Sequence, residues 1–235
     1  MPRAERADYG GVPGLVIVAQ IFHGTSPERV ACPGARKTSE DRRMRIILVI
    51  ACAAWLAGCT FKAVPDPKVS ARDAAFMALV PEAEFDPHFA RYQVSDPTGQ
   101  PPGTIVVETK ERQLYLVLPD GKAIRYGVSV GDEAFGWTGT ATIDRKAEWP
   151  AWNPPAEMIK RWPHVHAMQG GPMNPLGARA LYLADHGKDT LYRIHGTNEP
   201  EKIGQAVSSG CIRMRNIDVV DLFERVPVGA TVIVR

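Results

Sequence analysis

The sequence predicts a mostly β fold that carries one or two short helices. Short runs rich in β-branched and large apolar residues recur from Thr104 onward, turn-forming residues separate them, and helix-forming stretches are few. Thr104 to Thr109 and Gln113 to Leu118 read as two strands. Pro119-Asp120-Gly121 marks a tight turn, and Ala123 to Val130 returns as a third strand, giving a meander. Gly136 to Asp144 alternates like a strand, with glycines that suggest an edge or a bulge. Residues 145 to 180 lack periodicity and hold Trp149, Trp152, Trp162 and Gly170-Gly171, which reads as a long structured loop able to wall a groove. Ala180 to Asp185 and Leu191 to His195 form two further strands, the second ending at a histidine. Asn216 is a good N-cap and Asp218 suits a first turn, so Ile217 to Val226 reads as a helix that Pro227 stops. Ala230 to Val234 closes the chain as a strand.

The 235 residues exceed what this domain needs, and the excess lies upstream. Arg42, Arg43 and Arg45 precede eleven apolar residues, Ile46 to Leu56. A helix needs about 20 residues to cross a bilayer, so this run reads as the core of a secretory signal. Leu56-Ala57-Gly58-Cys59 then resembles the lipobox of bacterial lipoproteins. That resemblance implies cleavage before Cys59, lipid on its sulfur, and a membrane anchor; the alternative is an ordinary signal with a chance cysteine. Signal peptides start close to their basic region, so Met44 is the expected initiator and residues 1–43 an upstream extension. Residues 1–58 are thus read as extension plus signal, 59–103 as a lipidated tether, and 104–235 as the working domain.

The tether reading rests on seven prolines between Thr60 and Gly103. Ser70 and Asp73 offer a capping-box-like start for one short helix through Val80, which Pro81 ends. Fully extended, this stretch would reach roughly 150 Å, less whatever docks on the domain. The formal charge of +2 belongs to the leader: eight Lys/Arg and five Asp/Glu precede Cys59, leaving 20 basic against 21 acidic residues. Such a balance gives no argument for nucleic acid as a partner. Of the four cysteines, Cys32 and Cys52 fall before the cleavage point and Cys59 would carry lipid. Cys211 alone stays free, which suits catalysis or, less simply, a buried inert thiol.

Chemistry concentrates between Ile194 and Arg215. His195-Gly196-Thr197-Asn198 is followed, 16 positions after the histidine, by Cys211 within Ser208-Ser209-Gly210-Cys211-Ile212-Arg213. Only a few per cent of a free cysteine is thiolate at neutral pH, so a nucleophilic thiol needs a base nearby. His195 is the candidate base and Cys211 the candidate nucleophile. Gly210 lets the backbone turn sharply, and N–H groups around Ser209 and Gly210 could face an oxyanion or simply shape the turn. Arg213 would favour thiolate and attract a carboxylate, or form a structural ion pair. Arg193 shares a strand face with His195 and could also meet a carboxylate. Trp149 and Trp152 could stack on substrate or pack within their loop.

Those residues carry a resemblance. His195-Gly196-Thr197-Asn198 with Ser208-x-Gly210-Cys211-x-Arg213 resembles the signature of YkuD-type L,D-transpeptidase catalytic domains, in an ErfK-like branch. Leu114-Tyr115, Gly139-Thr140-Ala141, Trp149-Pro150 and Asn174-Pro175-Leu176-Gly177 agree with it, so the match spans Thr104 to Arg235. Many members have histidine where this chain has Ser209. The resemblance implies a β-sandwich-like domain acting on peptidoglycan stem peptides without a cofactor. Cys211 would acylate itself on the residue preceding a terminal D-alanine and pass the acyl group to an amine on another stem or on a cell-wall protein. The backbone carbonyl of Gly196 or a nearby hydroxyl would orient His195. The same Cys/His pair would serve a peptidoglycan hydrolase or carboxypeptidase, and a non-catalytic peptidoglycan-binding lipoprotein is the reading from a different class. The site would face the periplasm on a lipid anchor, and Thr60 after Cys59 favours the outer membrane. His164 and His166 form an H-x-H pair without an evident third ligand, so no metal site is expected.

Overall fold

The structure, a computed structural model, describes residues 61–84, 86–132 and 136–235. The extension, the signal segment, Met44 and Cys59 lie outside those residues.

The strands are β1 Lys62–Ala63, β2 Tyr92–Ser95, β3 Ile105–Glu108, β4 Gln113–Leu118, β5 Lys122–Gly127, β6 Val130–Gly131, β7 Gly139–Glu148, β8 Arg179–Asp185, β9 Lys188–His195, β10 Ala206–Ser208, β11 Ile212–Arg213 and β12 Thr231–Val234. The α-helices are α1 Ala71–Met77, α2 Ala156–Arg161 and α3 Asn216–Arg225. Ten strands form one sheet in the order β1-β2-β5-β4-β3-β12-β7-β8-β9-β11, and β6 pairs with β10 beside it. The chain is therefore mostly β.

The meander of β3, β4 and β5 forms as its sequence dictates, with antiparallel pairing and a positive φ at both Asp120 and Gly121 in its turn. The last strand does not sit at an edge. β12 runs between β3, to which it is parallel, and β7, to which it is antiparallel, joining the two halves of the sheet. One cluster of buried side chains draws Ile105, Leu114 and Tyr126 from one half and Ile143, Leu181 and Ile194 from the other. The sheet thus wraps one main core, with a small second cluster of Val94, Tyr115 and Ala123, and burial of such side chains at roughly 1.5–3 kcal/mol each is its main stabilisation.

The stretch before Gly103 differs from the tether expected. Its prolines break helices and sheets locally, but its apolar and charged residues dock on the domain. β2 extends the sheet next to β5 and receives β1. Ser70 caps α1 by accepting from the Asp73 N–H at 3.0 Å, as a capping start requires. The Asp73 side chain turns inward instead: its carboxylate accepts from Arg179 at 2.9 and 3.1 Å and from the Trp149 indole at 2.6 Å. Arg91 is buried too, donating to Asp218 at 3.0 Å and Asp66 at 2.7 Å. Buried charges at this density have to be paired. Arg179 lies 106 positions from Asp73 and Asp218 lies 127 from Arg91, out of reach of any local pattern.

Candidate active site

β9 carries Arg193 and His195 to one mouth of the sheet. β11 pairs with it in parallel, setting Ile212 beside Ile194 and Arg213 beside His195, so Cys211 falls next to Arg193. The loop before Cys211 is held from the other side, where β10 pairs with β6 and the Asp132 N–H donates to the Ser208 carbonyl at 3.2 Å. Gly210 has φ 118°, a conformation that favours glycine. A Cβ on Gly131 would stand 2.8 Å from the Gly210 Cα, so glycine is needed on both sides of this crossing.

His195 is 4% exposed, and its Nδ1 lies 2.6 Å from the Gly196 carbonyl oxygen. That carbonyl can only accept, so Nδ1 carries the proton and Nε2 is left as the basic atom. Burial pushes the imidazole pKa down to about 3; the Gly196 carbonyl opposes this, while Arg213 and Arg193 add to it. The resting ring is therefore neutral. Burial also raises the Cys211 thiol above the ordinary cysteine value, against the backbone N–H and guanidinium of Arg193 and the charge of Arg213. The half-buried Sγ lies 4.0 Å from the Leu191 carbonyl. Burial shifts both groups toward their neutral forms, which suits a thiol that gives its proton to a base as it attacks.

Ser208 shapes the loop. Its hydroxyl donates to the Cys211 carbonyl at 2.6 Å and accepts from the Gly210 N–H at 3.2 Å. The Gly210 N–H expected to face an oxyanion is thus already occupied. The Gly196 N–H is likewise committed, to the Arg179 carbonyl at 3.0 Å. Ser209 is exposed and lines the cavity.

A cavity of about 800 Å³ opens over Cys211 and His195. Arg193 and Arg213, the two arginines expected to meet a carboxylate, both line it. Arg213 also donates to Glu199 at 2.9 Å, so it is ion-paired and cavity-facing at once. Trp152 contributes to the wall. Trp149 does not: its indole is buried, bonded to Asp73 and packed edge-on against Phe76 at 5.0 Å. Its expected role at the substrate is corrected to that of an anchor at the base of the long loop. His164 and His166 are exposed, with His166 Nδ1 2.8 Å from the His164 carbonyl, and no cluster of three or more metal-ligating side chains occurs among the described residues.

Asn216 is the residue that sequence reasoning misplaced. It is the first residue of α3 rather than its N-cap, a position held by Arg215. Its Oδ1 accepts from the N–H groups of Ala178 and Thr197 at 2.9 and 3.2 Å, and its Nδ2 donates to the Thr197 carbonyl at 2.9 Å. A Cβ on Gly177 or on Gly196 would stand 2.2 Å from that Oδ1. The two glycines and the asparagine thus form one unit that fixes the peptide orienting His195. The sequence signal was present in Gly177, Gly196 and Asn216 themselves, but only their contact gives it meaning.

Fold and groove together define the class: a mostly β domain presenting to one cavity a histidine at the end of one strand and a cysteine just before the strand paired with it. Residues 102–234 match the YkuD family, described as the L,D-transpeptidase catalytic domain, and the chain belongs to that family. It is 38% identical over 138 residues to the probable L,D-transpeptidase ErfK/SrfK of Escherichia coli K12, covering 54% of this chain and 42% of that protein. The chain thus spans less than half the length of that relative. A putative L,D-transpeptidase from the ATP synthase subunits region of Fuscovulum blasticum is 35% identical, covering 58% of this chain and 70% of that one. A solved structure from Brucella melitensis, named a probable carnitine operon oxidoreductase, is 45% identical and covers 67% of this chain and 96% of that chain. Its TM-score is 0.43.

Proposed function

We propose that the chain is a peptidoglycan L,D-transpeptidase that works through a Cys211 acyl-enzyme. The observation that carries this is the placement of Cys211 beside Arg193 and of His195 beside Arg213, on paired strands facing one cavity, in a chain of the YkuD family. The donor is a tetrapeptide stem. Cys211 Sγ attacks the carbonyl preceding the terminal D-alanine while His195 Nε2 takes the thiol proton. With the Gly210 and Gly196 N–H groups engaged, the N–H groups of Ser209 and of Cys211 itself are the loop donors that remain for the oxyanion. The intermediate collapses as the C–N bond breaks and the imidazolium returns its proton to the departing amine. An acceptor amine then attacks the thioester, gives its proton to His195 and displaces the sulfur. Water in place of the amine would make the enzyme a carboxypeptidase.

The neutral imidazole favours this general-base route over a preformed ion pair. Arg193 and Arg213 hold the substrate's carboxylate groups near the thiol, and Ser209 lies at the entrance. The acceptor is an amine on a second stem or on a cell-wall protein. Anchoring through Cys59 would present the cavity to the periplasm, from the outer membrane by the identity of Thr60. Mass analysis of products from tetrapeptide muropeptides tests the function: crosslinked products that vanish in Cys211→Ala are expected. Cleaved products alone would make the chain a hydrolase, and unchanged muropeptides would overturn catalysis.

A further inference from the structure

The cavity bears more positive charge than the chemistry at Cys211 uses. Arg145, Arg193 and Arg213 line it, and among the described residues no aspartate or glutamate does. Arg213 is paired with Glu199. Arg193 donates to the Leu191 carbonyl at 2.7 Å and lies 4.0 Å from Asp189. Arg145 sits otherwise. It is exposed, and its guanidinium lies 3.3 Å from the centroid of the Tyr182 ring, while that of Arg193 lies 5.0 Å from the same ring. A ring face attracts a cation without neutralising it. Two guanidinium groups on one ring therefore form a cationic pair that an anion in the cavity would stabilise.

The sheet puts these groups in a row. Arg145 is opposite Tyr182 between β7 and β8, Tyr182 is opposite Arg193 between β8 and β9, and Cys211 lies beside Arg193 immediately before β11. With strands about 4.8 Å apart, the Arg145 backbone is about 14 Å from that of Cys211, and the guanidinium turned onto Tyr182 brings its charge to about 10 Å. An extended peptide advances about 3.3–3.6 Å per residue, so, counted from a carbonyl held at the thiol, that charge lies within the length of the three residues a tetrapeptide stem keeps on its acyl side. The terminal carboxylate of the leaving residue is only one residue from that carbonyl, within range of Arg193 or Arg213 instead.

The geometry points to Arg145, stacked on Tyr182, as a specificity-determining residue that binds a non-terminal carboxylate of the acyl donor, about 10 Å from the reacting carbonyl. Stacking fixes the plane of the guanidinium and leaves its N–H edge free for a bidentate contact. This rests on the transpeptidase reading for the identity of the donor, a tetrapeptide stem.

The test uses two stem donors, one with its non-terminal carboxylates free and one with them amidated. They are compared in the wild-type protein, Arg145→Gln and Arg145→Lys. Wild type is expected to show a KM about tenfold lower for the free donor, the scale of one charge-assisted hydrogen bond. Arg145→Gln should raise that KM about tenfold, leave kcat within about twofold and erase the preference; Arg145→Lys should keep part of it. Calorimetric binding of the same two peptides to Cys211→Ala repeats the comparison without turnover. A preference in binding that Arg145→Gln removes, in a protein that never acylates, would uphold the subsite and sink the transpeptidase reading. Equal affinity for both donors, or an equal KM rise for both in Arg145→Gln, overturns the subsite whatever the activity. So does a preference that follows the acceptor's carboxylates rather than the donor's.

Discussion

Replacing Asp73 by alanine removes one carboxylate from a stretch whose composition reads as a linker, and the structure gives that change a large cost. Asp73 is 2% exposed and accepts two hydrogen bonds from Arg179, whose side chain is equally buried, and one from the Trp149 indole. Breaking a buried pair by deleting one partner costs about 3–5 kcal/mol, because the other charge stays buried without its counter-ion. The Ala178 carbonyl, 2.9 Å from Arg179, and the Phe223 ring, 5.3 Å away, recover part of this. The orphaned indole N–H adds about 1 kcal/mol. A loss of about 4 kcal/mol results, a large share of the 5–15 kcal/mol of a typical domain. Urea unfolding followed by tryptophan fluorescence measures it. The sign with pH is also fixed: the Arg179 guanidinium holds the Asp73 carboxyl well below the usual carboxylate range. Its stabilisation is therefore complete above about pH 4, where an unfolded aspartate is ionised, and fades as pH falls through the folded value. The deficit of Asp73→Ala should narrow in acid. A loss under about 1 kcal/mol at pH 7 would refute the docking of this segment and restore a free tether.

Asn216→Ala removes three hydrogen bonds around the peptide that orients His195, and should lower kcat about 10–100-fold with little change in KM, read from steady-state kinetics. Gly196→Ala drives a methyl into the same asparagine and should match that loss. Ser208→Ala frees the Cys211 carbonyl and the Gly210 N–H together, and should slow acylation at least about tenfold in single-turnover measurements while the fold survives. With its imidazole depressed to about 3, His195 stays an unprotonated base through pH 4.5–8. The kcat/KM profile should therefore show no acid limb near pH 6.5; a limb there would mean that the ring is solvated in the working enzyme.

The sequence was most legible where function and contact are local. Cys211, His195 and the carbonyl of Gly196 lie within one short stretch, and the structure brings them together at one cavity mouth. The meander was legible because a tight turn and three runs rich in β-branched and large apolar residues specify it without help. α1 was found through Ser70, but the purpose of Asp73 was not, since Arg179 lies 106 positions away. Trp149 was misread for the same reason: exposure of an aromatic in a proline-rich loop depends on what packs beneath it. β10 and β11 are too short to carry a pattern, and the row that sets Arg145 in line with Cys211 exists only through pairing across β7, β8, β9 and β11. Asn216 resembled a cap because its type suits one, while its side chain serves two glycine-bearing loops instead.

The most direct measurement is the intact mass of the protein after brief mixing with a tetrapeptide stem in the absence of an acceptor amine. The account predicts a thioester adduct equal to the stem less D-alanine, located on Cys211, absent in Cys211→Ala and strongly reduced in His195→Ala. An unmodified mass while D-alanine is released would contradict the acyl-enzyme, and an adduct on any other residue would contradict the site.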